Sequence, residues 1–297
     1  MTTPITLEQP APHSALRRLV ARHPVMAFLV MVYTITPVFT LPPVRERLGI
    51  LLLDFALWDS LATICGVALP AFLVMAALHG RAGLRDLARR SFRWRVHSRW
   101  YFLALLGLPV GVLLVGSVIF GLAPLAALVN GWPLLFTLML PDLLLRIVLL
   151  NLAEEIGWTG FLQARLQDGY GPLKAVVLVE IPFALWHLPF LLVDTGGQFS
   201  VALAYLGVLA IAQLFGRVVI MWLYNNTQRS VLLVGLFHAA HNTTINRFAV
   251  EFIPAPAEIG FLITEGVVVA AAVLLLVITR GRLSYTPNQE IDERRSL

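Results

Sequence analysis

Two adjacent glutamates, Glu154 and Glu155, stand inside a membrane-length apolar run, Asn151-Leu-Ala-Glu154-Glu155-Ile-Gly-Trp158. A carboxylate at bilayer depth is costly, and two neighbours repel each other, so such residues are usually functional. Consecutive helix residues point about 100° apart, so the pair cannot share one role. One can face a cavity as a general base while the other finds a structural partner. From the doublet alone, catalysis stands beside a proton or ion relay and a structural pair between helices.

Three more polar groups lie in later apolar segments. His187 sits in Phe183-Ala-Leu-Trp186-His187-Leu-Pro189, on the segment just after the glutamates, where short connections make helices neighbours. A satisfied core histidine is the competing reading. His238 and Asn242 are four residues apart and share a helical face, with His241 flanking it. A His and an Asn presented together can stabilise an oxyanion or ligate a metal; an interhelical hydrogen-bond patch is the alternative. The chain has no HExxH helix, no GxSxG elbow and no Walker A loop. Asp54 and Asp59 lack the Gly-Asp motif of an intramembrane aspartyl protease and read as interfacial or structural.

The elements that position these groups are membrane helices. Of 297 residues, 58% are hydrophobic and only 13% charged, against about a quarter charged in soluble domains. Mean hydropathy is +0.80. The expected fold is an all-α polytopic membrane protein. About eight membrane-length segments are predicted: Pro24–Leu41, Ile50–Leu78, Trp100–Leu122, Leu134–Leu166, Leu173–Val193, Val201–Tyr224, Val231–Asn246 and Glu258–Thr279. The fourth is too long for one upright span, and Pro141 is its natural break point. Val25 to Leu41 reads as a retained first span rather than a signal peptide.

A net charge of +5 reflects arginine clusters rather than nucleic-acid binding, since no basic stretch is interleaved with aromatics in the manner of a nucleic-acid reader. Seven arginines between Arg81 and Arg99, with Arg280, Arg282, Arg294 and Arg295 in the tail, place both termini in the cytoplasm; Arg45, Arg47 and Arg247 are exceptions. The organisation expected is a cytoplasmic tail over 1–23, a membrane domain over 24–280 with its core at about 134–247, and a second cytoplasmic tail over 281–297. The Arg81–Arg99 segment, with Leu84, Leu87, Phe92 and Trp94, reads as an interfacial amphipathic helix or as a solvated loop. The lone Cys65 excludes a disulfide framework and a thiolate metal site. Asn225-Asn226-Thr227 spells a glycosylation sequon on the side predicted to be cytoplasmic.

The ordered set Glu154-Glu155, Phe183-x-x-x-His187 and His238-x-x-x-Asn242 resembles the CPBP (CAAX protease and bacteriocin-processing, or Abi) family over roughly Leu134 to Arg247. The resemblance implies an intramembrane endopeptidase acting on a membrane-associated peptide. It implies that Glu154 activates water with His187, and that His238 and Asn242 stabilise the oxyanion. Where a metal is used, zinc held by Glu154, His187 and His238 is the implied site; a metal-free glutamate mechanism is the alternative. The family pattern has Arg four residues after the second glutamate, and Thr159 stands there. Arg217, a charge within the sixth segment, is the expected replacement partner for Glu155, with Arg146 and Arg165 as weaker candidates. The partners implied are the lipid bilayer and a peptide substrate, at the cell membrane. Two other functions fit the same residues: a catalytically inactive scaffold or bacteriocin-immunity protein of this fold, and a proton-coupled transporter. A transporter predicts internal repeats, which the sequence does not show.

Overall fold

The structure, a computed structural model, describes residues 15–41 and 55–287. Asp54, Arg45, Arg47, Arg294, Arg295 and most of both expected tails lie outside these residues. All regular elements among the described residues are helical. A short α1 (Ala15–Arg22) leads into α2 (Pro24–Thr40). Then come α3 (Trp58–Ser91), α4 (Arg99–Phe120), the short α5 (Ala123–Asn130), α6 (Leu135–Tyr170), α7 (Pro172–Asp194) and α8 (Phe199–Asn226). The chain closes with α9 over 231–252 and α10 (Ala257–Ile278).

Six of these helices are long and apolar enough to cross a membrane: α3, α4, α6, α7, α8 and α10. The first and seventh predicted segments correspond to the shorter α2 and to α9, which is as long as α4 but is not among those six. Backbone hydrogen bonding explains why only helices are used, because lipid offers no partners for an open strand edge. Only 22% of the most apolar stretch of α4 is buried by protein, and Phe102, Leu106, Leu114 and Val118 face outward. In water that surface would be a severe aggregation liability; against acyl chains it is the expected exterior.

The inner packing is tight where small residues let helices approach. A methyl group at Gly157 on α6 would meet Val67 Cγ1, the Val67 carbonyl oxygen at 3.0 Å and Phe28 Cζ at 3.1 Å. One at Gly235 on α9 would lie 3.2 Å from Leu152 Cα on α6. Around these contacts Phe28, Trp158, Phe161, Phe183 and Trp186 form a buried aromatic core linking α2, α6 and α7.

One expectation needs correction. Pro141 does not break α6, which runs continuously for 36 residues. A π-helical turn at Leu135–Met139 directly precedes the proline's segment and loosens the helix where Pro lacks its N–H. In α3 the kink comes instead at Gly80, whose φ of 57° a residue with a side chain rarely adopts. Beyond it, Leu87 packs into the core while Arg81, Arg85 and Arg89 are exposed, the pattern of an amphipathic helix that is also part of the protein interior.

Candidate active site

The glutamate pair lies on a single α-helical turn, Leu152–Glu155, flanked by π-helical turns at Ile147–Asn151 and Ile156–Gln163. Widened turns of this kind change the direction in which neighbouring side chains project, and they recur at functional sites. The two carboxylates have different surroundings. Glu155 is fully buried at 0% exposure. Its Oε2 accepts from the Thr159 hydroxyl and from Arg217 Nη1 at 3.2 Å, and its Oε1 meets His238 Nδ1 at 2.8 Å. Glu154 is 8% exposed, and its only polar contact among the described residues is His238 Nδ1 at 3.8 Å from Oε2. The prediction of separate roles fits these different partner sets, although both carboxylates converge on one imidazole.

Arg217 projects from α8 into this network, 1% exposed. Its Nη1 donates to Glu155 and also to Thr159 Oγ1 at 3.2 Å, and its guanidinium lies 4.8 Å from the centre of the Phe183 ring. The Glu155 contact is well inside the roughly 6 Å reach of an ion pair. Arg146 instead pairs with Asp142 at 2.6 Å, and Arg165 lies over the Phe161 ring, so neither serves Glu155. Thr159 keeps a role in place of the family's Arg: its hydroxyl bridges Glu155 and Arg217.

Sequence reasoning missed Glu180. It is 3% exposed on α7, with Oε2 3.6 Å from Arg217 Nε and neither carboxylate oxygen hydrogen-bonded among the described residues. The signal was present: a lone carboxylate in an apolar span, seven residues before His187 and so on the same face two turns away. Asn151 is also buried, with both amide atoms unpartnered among the described residues, three residues before Glu154.

His187 sits where α7 changes direction, between Pro172–Trp186 and Leu188–Asp194, with Pro189 in the following turn. Its Nδ1 lies 2.9 Å from the Phe183 carbonyl oxygen, so Nδ1 carries the proton and Nε2 keeps a lone pair. The ring is held edge-to-face by Phe183 at 4.8 Å and Trp186 at 4.9 Å. Phe183 also lies 6.3 Å from the His238 ring, so this one buried ring touches both histidines and the guanidinium. That is a physical reason for an aromatic residue four positions before His187.

Asn242 lies one turn beyond His238, half-buried, with its side-chain amide free of partners among the described residues. His241 points elsewhere, to Glu265 Oε1 of α10 at 2.9 Å, and takes no part in the site. The sequon is spent on structure: Asn225 Nδ2 donates to the Leu283 carbonyl and Thr227 is buried. Among the described residues no group of three His, Cys, Asp or Glu side chains is arranged to hold a metal ion. Nδ1 of His238 is engaged by Glu155, which leaves Nε2 as the ring atom that faces away from that carboxylate.

Residues 136–244 match the family model described as Type II CAAX prenyl endopeptidase Rce1-like. This region is similar to Rce1-like domains. It contains every site residue named above from Glu154 to Asn242, and it is consistent with the CPBP resemblance. A stretch of 125 residues, 41% of this chain, is 29% identical to the CAAX prenyl protease 2 of Methanococcus maripaludis. The match spans 45% of that relative's length, less than half of it.

Proposed function

We propose that the chain is an intramembrane endopeptidase, similar to CAAX prenyl proteases, that hydrolyses a peptide bond of a membrane-associated peptide. The observation that carries this reading is the unequal pair: Glu155 is saturated by Thr159, Arg217 and His238, whereas Glu154 has no hydrogen-bond partner among the described residues. A structural glutamate pair would give both carboxylates partners.

In this reading Glu154 takes a proton from water as the water oxygen attacks the scissile carbonyl. His187 orients that water through the lone pair on Nε2. The carbonyl electrons move to oxygen, and the oxyanion accepts from the Asn242 amide and from Nε2–H of the doubly protonated His238 ring. Glu154 then hands its proton to the departing amine, leaving one new carboxyl and one new amine end. In this reading Glu155 and Arg217 touch no reacting atom; Glu155 fixes the His238 ring by its Nδ1, and Arg217 holds Glu155. No step runs through a metal. Both termini are assigned to the cytoplasm and the protein to the cell membrane, in keeping with the arginine asymmetry.

The test is cleavage of a prenylated CAAX peptide and a panel of membrane peptides by purified protein in liposomes, alongside Glu154→Gln and His187→Ala, with and without a chelator. Loss of cleavage in both variants at unchanged thermal stability supports the mechanism. Chelator sensitivity of the wild type would replace it with a metal mechanism. A folded wild type that cleaves nothing would favour the scaffold reading.

A further inference from the structure

A cavity of about 950 Å³ opens at the ends of α3, α6 and α8, and neither the glutamates nor the histidines of the candidate active site line it. Its walls carry Arg89, Arg90, Arg93, Arg165 and Arg229 against only Asp86 and Asp168. Such an excess of one sign in a concave site focuses the field and attracts anions.

These arginines do not all serve the fold equally. Arg90 is structural: it pairs with Asp86 and donates to the Gly160 carbonyl at 2.8 Å and to Tyr224 Oη at 3.0 Å. Arg229 reaches Asp168 at 3.4 Å. Arg165 is different. Its guanidinium rests 4.8 Å from the Phe161 ring centre, its Nη2 meets only the weak acceptor Met75 Sδ at 3.4 Å, and its buried Nε has no acceptor. A guanidinium is a fork of N–H donors that matches an oxyanion bidentately. Here the fork is held in place by a ring and a thioether while no protein oxygen among the described residues satisfies it.

The depth of the cleft indicates the ligand. It lies where three membrane-length helices end, beside a turn on which Phe92 and Trp94 are 59% and 62% exposed and Arg95 stacks on Trp94. Exposed aromatics of this kind mark headgroup level, and basic pockets between helices at that level suit anionic lipid headgroups. We propose that this cleft binds the phosphate of an anionic phospholipid, with Arg165 as its main ligand and Arg89 as a second cation. The assignment is independent of the proteolytic reading.

Native mass spectrometry of the purified full chain tests it, with phosphatidylglycerol and phosphatidylcholine added in turn. Wild type is expected to retain phosphatidylglycerol preferentially. Arg165→Gln should weaken that retention roughly tenfold, the loss of one charge-assisted contact. Arg89→Gln should weaken it less, and Arg280→Gln, outside the cleft, should leave it unchanged. Equal retention of the two lipids, or an Arg165→Gln protein indistinguishable from wild type, would overturn the proposal. Displacement of the lipid by millimolar inorganic phosphate would reassign the cleft to a soluble phosphate. Displacement by a short peptide only when its C-terminus is a free carboxylate would reassign it to peptide binding.

Discussion

The role of a guanidinium at position 217, where the CPBP pattern has one at position 159, can be tested by moving it. Arg217 is 1% exposed and lies between Glu155 at 3.2 Å and Glu180 at 3.6 Å, with Thr159 and the Phe183 ring completing its surroundings. Arg217→Ala removes the guanidinium from two buried carboxylates, leaving Glu155 with His238 alone as an ion-pair partner and Glu180 with no cation among the described residues. Breaking a buried pair by removing one partner costs about 3–5 kcal/mol, because the remaining charge stays desolvated. On the soluble-protein scale that is a fall in melting temperature on the order of 10 °C. Thr159→Arg alone forces a large cation into a filled, fully buried position beside Arg217, an overpacking cost of about 1–3 kcal/mol before like-charge repulsion. In the double variant the introduced guanidinium is carried four residues from Glu155 on α6 and can occupy the space that Arg217 vacates. It should recover at least half of the stability lost by Arg217→Ala. Thermal unfolding of the four proteins in one detergent gives the coupling energy directly. If the double variant is no more stable than the two single effects combined, or Arg217→Ala shifts the melting temperature by less than about 2 °C, the guanidinium does not hold this network together.

Other substitutions separate chemistry from support. Glu154→Gln should abolish peptide cleavage with little change in melting temperature, whereas Glu155→Gln should destabilise by about 3 kcal/mol or more, since Arg217 and His238 lose their common acceptor; paired activity and unfolding assays read both. Gly235→Ala should reduce cleavage by up to about 100-fold while costing little stability, because the methyl wedges α9 from α6 and displaces His238 from the glutamates; equal activity in this variant would show that the spacing is slack. Gly157→Ala meets the Val67 backbone oxygen at 3.0 Å and should cost about 1–3 kcal/mol, seen as a lower melting temperature with or without substrate.

The membrane helices were legible because acyl chains are a uniform solvent and long apolar runs have one solution in them. Arg217 was legible for the complementary reason: a charge inside such a run must find a counter-charge, and Glu155 was the one left without its expected partner. Glu180 obeys the same rule and was passed over because it belongs to no recurring motif. His241 and Glu265 show the limit of spacing arguments. His241 shares the helical neighbourhood of His238, yet a carboxylate on α10 decides where it points. The π-helical turns around Leu152–Glu155 were not legible at all, since residue preferences distinguish helix from coil far better than a helix from its widened turn.

The position of the guanidinium carries a more general point about reading such motifs. A family pattern records where along the chain a cation is supplied, while the electrostatic requirement concerns only where its charge lies in space. In this fold α8 passes beside the turn after the glutamates, so Arg217 meets both Glu155 Oε2 and Thr159 Oγ1 with a single Nη1. Thr at position 159 is then more than a gap in the pattern. Its short side chain leaves room for the incoming guanidinium, and its hydroxyl supplies an acceptor on the α6 side. A larger apolar residue there would block Arg217, and alanine would leave one of its N–H groups without an oxygen. An Rce1-like sequence lacking the motif Arg is therefore better judged by whether a cation from a neighbouring helix can reach the second glutamate than by the missing letter.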